Sequence, residues 1–252
     1  YTNYPTDGIA EKYDYIFYVG MLTETPLFPE GTVYYVTAGI ETDTMYDFNL
    51  QPGSKILTSS EHSSNLIKVG NDVLPERVEI HYEKTTIHYE KTRRILISGA
   101  WIGGSQIGED RKNIPLSIKT AIEMISQSSN PEIYELWVHT SMGTYSELER
   151  THIANLISHF NERYKIKIKL FHGILSEDEL YDMYSKCQLM LTLTHGEGFG
   201  RHLAEFMSTG GKLIAPKFSG YLDFASSSDN YLIDVDMINV PASVINKWIR
   251  KD

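Results

Sequence analysis

The sequence predicts an α/β protein whose larger part is a parallel sheet wrapped by helices, and three observations carry that prediction. From residue 93 onward, short apolar runs alternate with segments of helical apolar spacing, the pattern of strands joined by crossover helices. The run Leu189-Met190-Leu191-Thr192-Leu193 leads directly into Thr194-His195-Gly196-Glu197-Gly198-Phe199-Gly200 and then into Leu203, Phe206 and Met207 at helical spacing, so a buried strand, a glycine-rich turn and a helix follow one another. With 41% hydrophobic residues in 252, the chain has enough apolar side chains for one large core or two small ones.

Taken in order, residues 15–19 and 32–36 are rich in β-branched and aromatic residues and are parted by Pro26, Pro29 and Gly31, so both read as strands. Residues 55–58 read as a third strand. A serine-capped helix follows from Ser59 and Ser60 through Leu66 to Val69 and stops at Gly70. Beyond residue 93 the expected strands cover 94–98, 134–139, 166–171, 189–193, 212–215 and 231–235. The helices between them cover 115–127, 145–163 and 177–186, the last capped by Ser176, with one more after Gly200 and a terminal helix over 242–250. The resulting division is 1–92, 93–238 and 239–252, the last a helix packing back on the N-terminal part.

The formal charge of −10, from 23 basic and 33 acidic residues, argues against a general nucleic-acid or anionic-membrane surface. The single cysteine, Cys187, excludes an internal disulfide framework and a cysteine-rich zinc site, and its apolar setting predicts a buried thiol. No run approaches the roughly 20 apolar residues that span a bilayer, and no signal peptide is visible, so a cytoplasmic protein is expected. The chain opens at Tyr1 without a methionine, which leaves room for residues upstream.

Ile80-His81-Tyr82-Glu83-Lys84-Thr85 recurs after Thr86 as Ile87-His88-Tyr89-Glu90-Lys91-Thr92. One tandem copy is too short for a solenoid and reads as a hairpin or interdomain linker. The rival reading, a metal pair of His81 and His88, finds no cysteine or carboxylate pattern nearby to complete it.

In open α/β sheets the turn after Leu193 lies at the carboxyl ends of the strands, where ligands bind, and the following helix offers free backbone N–H groups to an anion. Glycines at 196, 198 and 200 let a ligand approach the main chain closely. Glu197 and Glu205, with seven residues between them, frame the turn and provide acceptors for hydroxyl groups. The glycines point to phosphate or sugar, and the carboxylates to hydroxyls.

Several blocks then recur in one order: Arg111-Lys112-Asn113 before a helix, Phe171-His172-Gly173-Ile174-Leu175-Ser176, Glu197-Gly198-Phe199-Gly200, Glu205, and Gly210-Gly211-Lys212-Leu213-Ile214-Ala215. Over roughly 93–236 this order resembles the C-terminal domain of retaining GT-B glycosyltransferases of family 4, whose signature is two glutamates separated by seven residues with Gly-Phe-Gly after the first. The resemblance implies a GT-B-like chain of two Rossmann-type parts, the C-terminal sheet complete and the N-terminal part truncated. It implies transfer of a sugar from a nucleotide-diphosphate sugar to an acceptor glycan, lipid or protein, with retention and without a metal or other cofactor.

By the same resemblance Glu197 is the catalytic position, contacting donor-sugar hydroxyls, and Glu205 takes the ribose. Lys112 neutralises the leaving diphosphate, with Arg111 beside it. The backbone of Gly198, Phe199 and Gly200 lines the sugar and diphosphate, and Ile174 is carried over as a further donor contact. Breaking a sugar–phosphate bond builds charge on the diphosphate, so fixed cations and N–H groups there lower the barrier. These cations and the helix N-terminus are expected to do the work that a metal would otherwise do.

Two departures from that family are informative. Where the family has an arginine after the glycine closing its first strand, this chain reads Ser98-Gly99-Ala100-Trp101-Ile102-Gly103-Gly104; Arg201, after Gly-Phe-Gly, is expected to supply the missing cation. Gly103 and Gly104 form a weak phosphate cradle, and His195 is a further candidate because it immediately precedes the motif. The second departure is the N-terminal part of about 92 residues. It leaves open a shortened enzyme, or an acceptor side completed by upstream residues, a second copy or a partner chain. Two rivals to an active transferase stand beside it: a glycosyltransferase-like subunit that binds nucleotide sugar without turnover, and a nucleotide-sugar epimerase on the same fold.

Overall fold

The protein is described here by a computed structural model covering residues 16–20, 30–36, 50–67, 69–79, 93–100, 110–141, 147–237 and 239. The duplicated hexapeptide, the Gly103-Gly104 pair and the expected terminal helix lie outside the described residues.

Two parallel sheets organise the chain. The first comprises β1 (Phe17–Gly20), β2 (Val33–Val36), β3 (Lys55–Thr58) and β4 (Asn71–Val73), in the order β1-β2-β3-β4. Every pair in it is parallel. Alternation sets its inner face: Tyr34, Val36 and Ile56 are buried, and Ile67 packs with them. Between β3 and β4 lies α1 (Glu61–Leu66), whose N-cap Ser60 accepts from the Ser63 amide. It stops at Leu66, short of the expected Val69, because the backbone turns extended at Ile67 and buries that side chain in the first sheet's core. The strand β4 has no counterpart in the sequence reading. Asn71 and Asp72 are poor strand formers, and pairing with β3 holds them extended.

The second sheet contains β5 (Arg93–Ala100), β6 (Tyr134–Ser141), β7 (Lys167–His172), β8 (Leu189–Leu191), β9 (Lys212–Pro216) and β10 (Tyr231–Ile233). The order across it is β10-β9-β8-β5-β6-β7, all parallel. Read from β7, this is 3-2-1-4-5-6, the doubly wound order whose ligand crevice opens where the direction of winding reverses, here between β5 and β8.

Helices α2 (Ile114–Ser126), α3 (Glu147–Asn161), α4 (Glu177–Ser185) and α5 (Arg201–Ser208) connect these strands. Ile95 and Ile97 of β5 pack with Ile118, Ile122 and Ile153 on one face of the sheet. Leu96 of β5 packs with Tyr184, Leu203 and Phe206 on the other. The near-continuous apolar runs of β5 and β6 are what a sheet covered on both faces requires. Burying each such side chain stabilises by about 1.5–3 kcal/mol. Ser176 and Glu179 form a capping box at the start of α4, as the sequence at that point predicts. Cys187 is buried, and burial pushes its thiol up to about 12, which keeps it protonated and inert. Among the described residues no helix is long and apolar enough to cross a membrane.

Candidate functional site at the strand-order reversal

The loops that follow β5 and β8 meet over the crevice between those strands. The first loop is shaped by Asp110, which is fully buried and accepts from the amides of Lys112 (3.2 Å) and Ile114 (3.0 Å). Its carboxylate thereby compensates the positive end of α2. Asn113 adopts a left-handed backbone (φ 52°), a conformation asparagine tolerates, and its Nδ2 donates to Leu193 O at 3.0 Å. From the other side, the His195 amide donates to Arg111 O at 2.9 Å, while Arg111 Nη1 donates to Gly196 O at 2.6 Å. The two loops are thus tied backbone to backbone, with the Lys112 side chain delivered onto Glu197.

Glu197 is 4% exposed and receives Lys112 Nζ on both oxygens, at 2.6 and 2.5 Å. Burial alone pushes its carboxyl up. The charges of Lys112, His202 and Arg111, with the Lys112 hydrogen bond, outweigh that and hold it at about 2. Its main chain is equally constrained. Ser219 Oγ accepts from the Glu197 amide and donates to its carbonyl, both at 2.6 Å, and the Gly220 amide reaches the same carbonyl at 3.0 Å. Ser219 sits at φ 103°, a backbone state serine rarely takes, so this turn holds strain beside the carboxylate. His202 lies in the same electrostatic cluster; burial, reinforced by Lys112 and Arg111 against the pull of Glu197, lowers its ring to about 4, so it is neutral at pH 7.

Past Glu197 the chain turns into α5 through Gly200, at φ 89°. A side chain there would be strained by the backbone and crowded by Leu203 and Tyr221, each of which would lie 3.3 Å from its first carbon. Gly200 has no side chain with which to cap α5, and the first turn carries no acidic residue, so the positive end of this helix dipole faces the turn uncompensated. Phe199 is buried against Phe224, with ring centroids 5.2 Å apart.

The first sheet reaches into this turn as well. The hydroxyls of Ser60 and Ser63 both donate to Gly198 O, the second at 3.2 Å. The Glu61 amide donates to Asp223 Oδ2 at 2.9 Å, and the His62 ring meets Phe218 edge-on at 4.9 Å.

On α5, Arg201 is 57% exposed and makes an ion pair with Glu76, with Nη2 and Nε 2.7 and 2.8 Å from Oε2. Glu205 lies four residues on, on the same helix face and half-buried. Burial raises its carboxyl, Arg201 opposes this, and Glu177 and Glu76 add to the rise. Ile174 is 75% exposed in the turn after β7, next to Gly173 at φ 141°.

The residues nominated by the sequence therefore fall into three places. Lys112, Arg111 and Glu197 form one cluster with His202. Arg201 and Glu205 share a face of α5, and the cation expected at the diphosphate is engaged by the carboxylate of Glu76, just beyond β4. Ile174 stands apart on the neighbouring loop. His195 is held by its amide on Arg111 O, and burial lowers its ring. Sequence reasoning missed Asp110, Ser219, Glu76 and His139. Only Asp110 left a signal, as an aspartate just ahead of a helix. Among the described residues no three His, Cys, Asp or Glu side chains gather as metal ligands do.

No protein-family model matches this sequence. A search of curated proteins likewise gives no match. Solved structures do match in fold. TarM superposes with a TM-score of 0.54 at 16% identity, over 81% of this chain and 40% of that one. A mutant S. aureus TarM in complex with fondaparinux, α-GlcNAc-glycerol and UDP gives 0.55 at 14%, over 86% and 42%. A UDP-forming α,α-trehalose-phosphate synthase from Burkholderia vietnamiensis gives 0.58 at 8%, over 81% and 55%. This chain thus spans about half the length of the solved chains it matches. Those neighbours are GT-B glycosyltransferases, and at such identities the likeness establishes the fold: α/β, with parallel sheets of the GT-B type.

Proposed function

We propose that this chain is a retaining, metal-independent glycosyltransferase of the family 4 type, which binds a nucleotide-diphosphate sugar over the β5/β8 crevice. The observation that carries the reading is the buried Lys112–Glu197 pair, set at the reversal of strand order and next to the uncompensated N-terminus of α5. On arrival of the donor, Lys112 Nζ exchanges one carboxylate oxygen for the diphosphate, and the backbone of 198–200 at the head of α5 takes the rest of that charge. Glu197, kept ionised, is then free to accept from a hydroxyl of the transferred sugar. Glu205 accepts from the ribose. As the bond from the anomeric carbon to the diphosphate breaks, charge grows on the leaving oxygen, which Lys112 and the helix end stabilise.

UDP bound to S. aureus TarM, and the UDP-forming activity named for the Burkholderia synthase, make UDP the first nucleotide to try. The test is incubation with UDP-, GDP- and ADP-sugars in EDTA, following release of the nucleoside diphosphate. One donor is expected to be consumed, with Lys112→Met slower by about 10²–10³. A donor that binds tightly with no turnover would leave a nucleotide-sugar-binding subunit, and a changed sugar on an intact donor would make the chain an epimerase.

A further inference from the structure

The carboxyl ends of β5, β6 and β7 carry a buried polar chain that the proposed chemistry does not use. Ser98 and His139 are register partners on β5 and β6 and lie 3.0 Å apart, Oγ to Nδ1. His139 is 6% exposed, and its other nitrogen, Nε2, is 3.1 Å from Gly173 O. A carbonyl only accepts, so Nε2 carries the proton, Nδ1 accepts, and the Ser98 hydroxyl donates to it. The buried Tyr184 lies beside Ser98. Polarity therefore runs one way, from Ser98 through His139 to the Gly173 carbonyl. From β6, Thr140 holds the same turn twice: its carbonyl accepts from the Gly173 amide at 2.9 Å, and its hydroxyl bonds His172 Nδ1 at 2.8 Å.

What this chain holds is Gly173 at φ 141°, a backbone state open to glycine and not to other residues, immediately before the exposed Ile174. Its place in the sheet fixes what it faces. The proposed diphosphate position is at β5/β8, and β7 lies two strands beyond β5, about 10 Å away at ordinary strand spacing. The ribose carboxylate Glu205 is on α5, which packs against α4, the helix entered from the turn after β7. A nucleoside laid from the diphosphate past Glu205 brings its base to the 173–174 turn.

Resting on the nucleotide-sugar reading above, we propose that His139 is a positioning residue that sets nucleobase selectivity, holding the Gly173 carbonyl so that the turn presents Ile174 to the base. It touches no substrate atom itself. Its loss frees a glycine peptide with many accessible conformations and blurs discrimination among bases, while leaving the phosphate contacts in place.

Calorimetric titration of wild type, His139→Ala, His139→Gln and Ser98→Ala with UDP, GDP, ADP and inorganic pyrophosphate tests this. Wild type is expected to prefer one nucleoside diphosphate. His139→Ala should bind that one about tenfold more weakly, with the preference narrowed and pyrophosphate affinity held within about twofold. His139→Gln, whose amide can still donate toward Gly173 O, should recover most of the loss. Ser98→Ala, which leaves the ring in place and removes only its donor, should move in the same direction and carries the test if His139→Ala does not fold. Unchanged nucleotide discrimination in folded variants, or an equal loss for pyrophosphate, overturns the proposal alone. Wild type that binds none of the four probes overturns the nucleotide-sugar reading and this proposal together.

Discussion

Replacing Lys112 by methionine keeps most of the side-chain volume and removes the charge that faces Glu197. The carboxylate is 4% exposed and the lysine side chain 13%, so water cannot easily take over the lost interaction. With the pair intact the Glu197 carboxyl lies at about 2; without it the burial that raises the carboxyl is opposed only by Arg111 and His202. Breaking one partner of a buried pair costs about 3–5 kcal/mol. For a chain of this size that lowers Tm by roughly 6–20 °C. Glu197→Gln in the Lys112→Met background removes the stranded charge and should restore most of the stability, leaving a coupling energy above about 2 kcal/mol. Urea unfolding of wild type, Lys112→Met, Glu197→Gln and the double variant at pH 7, followed through the buried Trp137, measures this directly. A Lys112→Met protein within about 1 kcal/mol of wild type would refute the buried pair as the centre of the site.

Other consequences follow from the same geometry. The His202 ring is ordinarily near 6.5 and lies at about 4 in the folded chain, so stability is full above about pH 6.5 and is lost as pH falls toward 4. His202→Asn should flatten that slope, by up to about 3 kcal/mol in urea titrations between pH 7 and 4; an unchanged slope would place the neutral ring elsewhere. Glu197 acts in the same direction over a lower window, from about 4.5 down to about 2. Gly220→Ala would drive a methyl into Gly198 O, so the turn must move. A loss of about 1–3 kcal/mol in thermal unfolding and weakened nucleotide binding are expected, and an unperturbed protein would contradict the packing of that loop. Glu76→Gln releases Arg201 from a pair whose arginine is exposed but whose carboxylate is only 9% exposed, so a loss of about 1–3 kcal/mol in stability is expected. If Arg201 serves the diphosphate, UDP should bind this variant more tightly in calorimetry; equal or weaker binding removes Arg201 from the donor site.

The second sheet is legible in the sequence because its strands are buried on both faces and its helices carry long apolar stripes. Strand 94–98 extends to β5 (Arg93–Ala100), and helix 115–127 falls one residue later than α2 (Ile114–Ser126) at each end. The Ser176 cap is readable because a capping box is local chemistry. Elements that depend on distant partners are not. Strand β4 exists by pairing with β3, and the Ser60 and Ser63 hydroxyls meet Gly198 across 138 and 135 positions of chain. The site shows the same division. The family resemblance nominates Lys112 and Glu197 for different parts of a ligand, and only the fold shows that each satisfies the other. Arg201 is nominated as a stand-in for the arginine that the resembling family carries elsewhere, whereas its partner Glu76 lies 125 positions away. His139 sits in an apolar run whose pattern says strand and nothing about the turn it holds.

The central claim is that the β5/β8 crevice accepts a nucleotide-diphosphate sugar through Lys112 and Glu205. Its most direct test is the thermal shift of wild type, Lys112→Met and Glu205→Gln against UDP-, GDP- and ADP-sugars, each variant compared with its own unliganded Tm. One donor, at about 100 times its dissociation constant, should stabilise wild type by about 2.7 kcal/mol, with the shift strongly reduced in both variants. No shift with any donor, or an equal shift in all three proteins, would contradict the account.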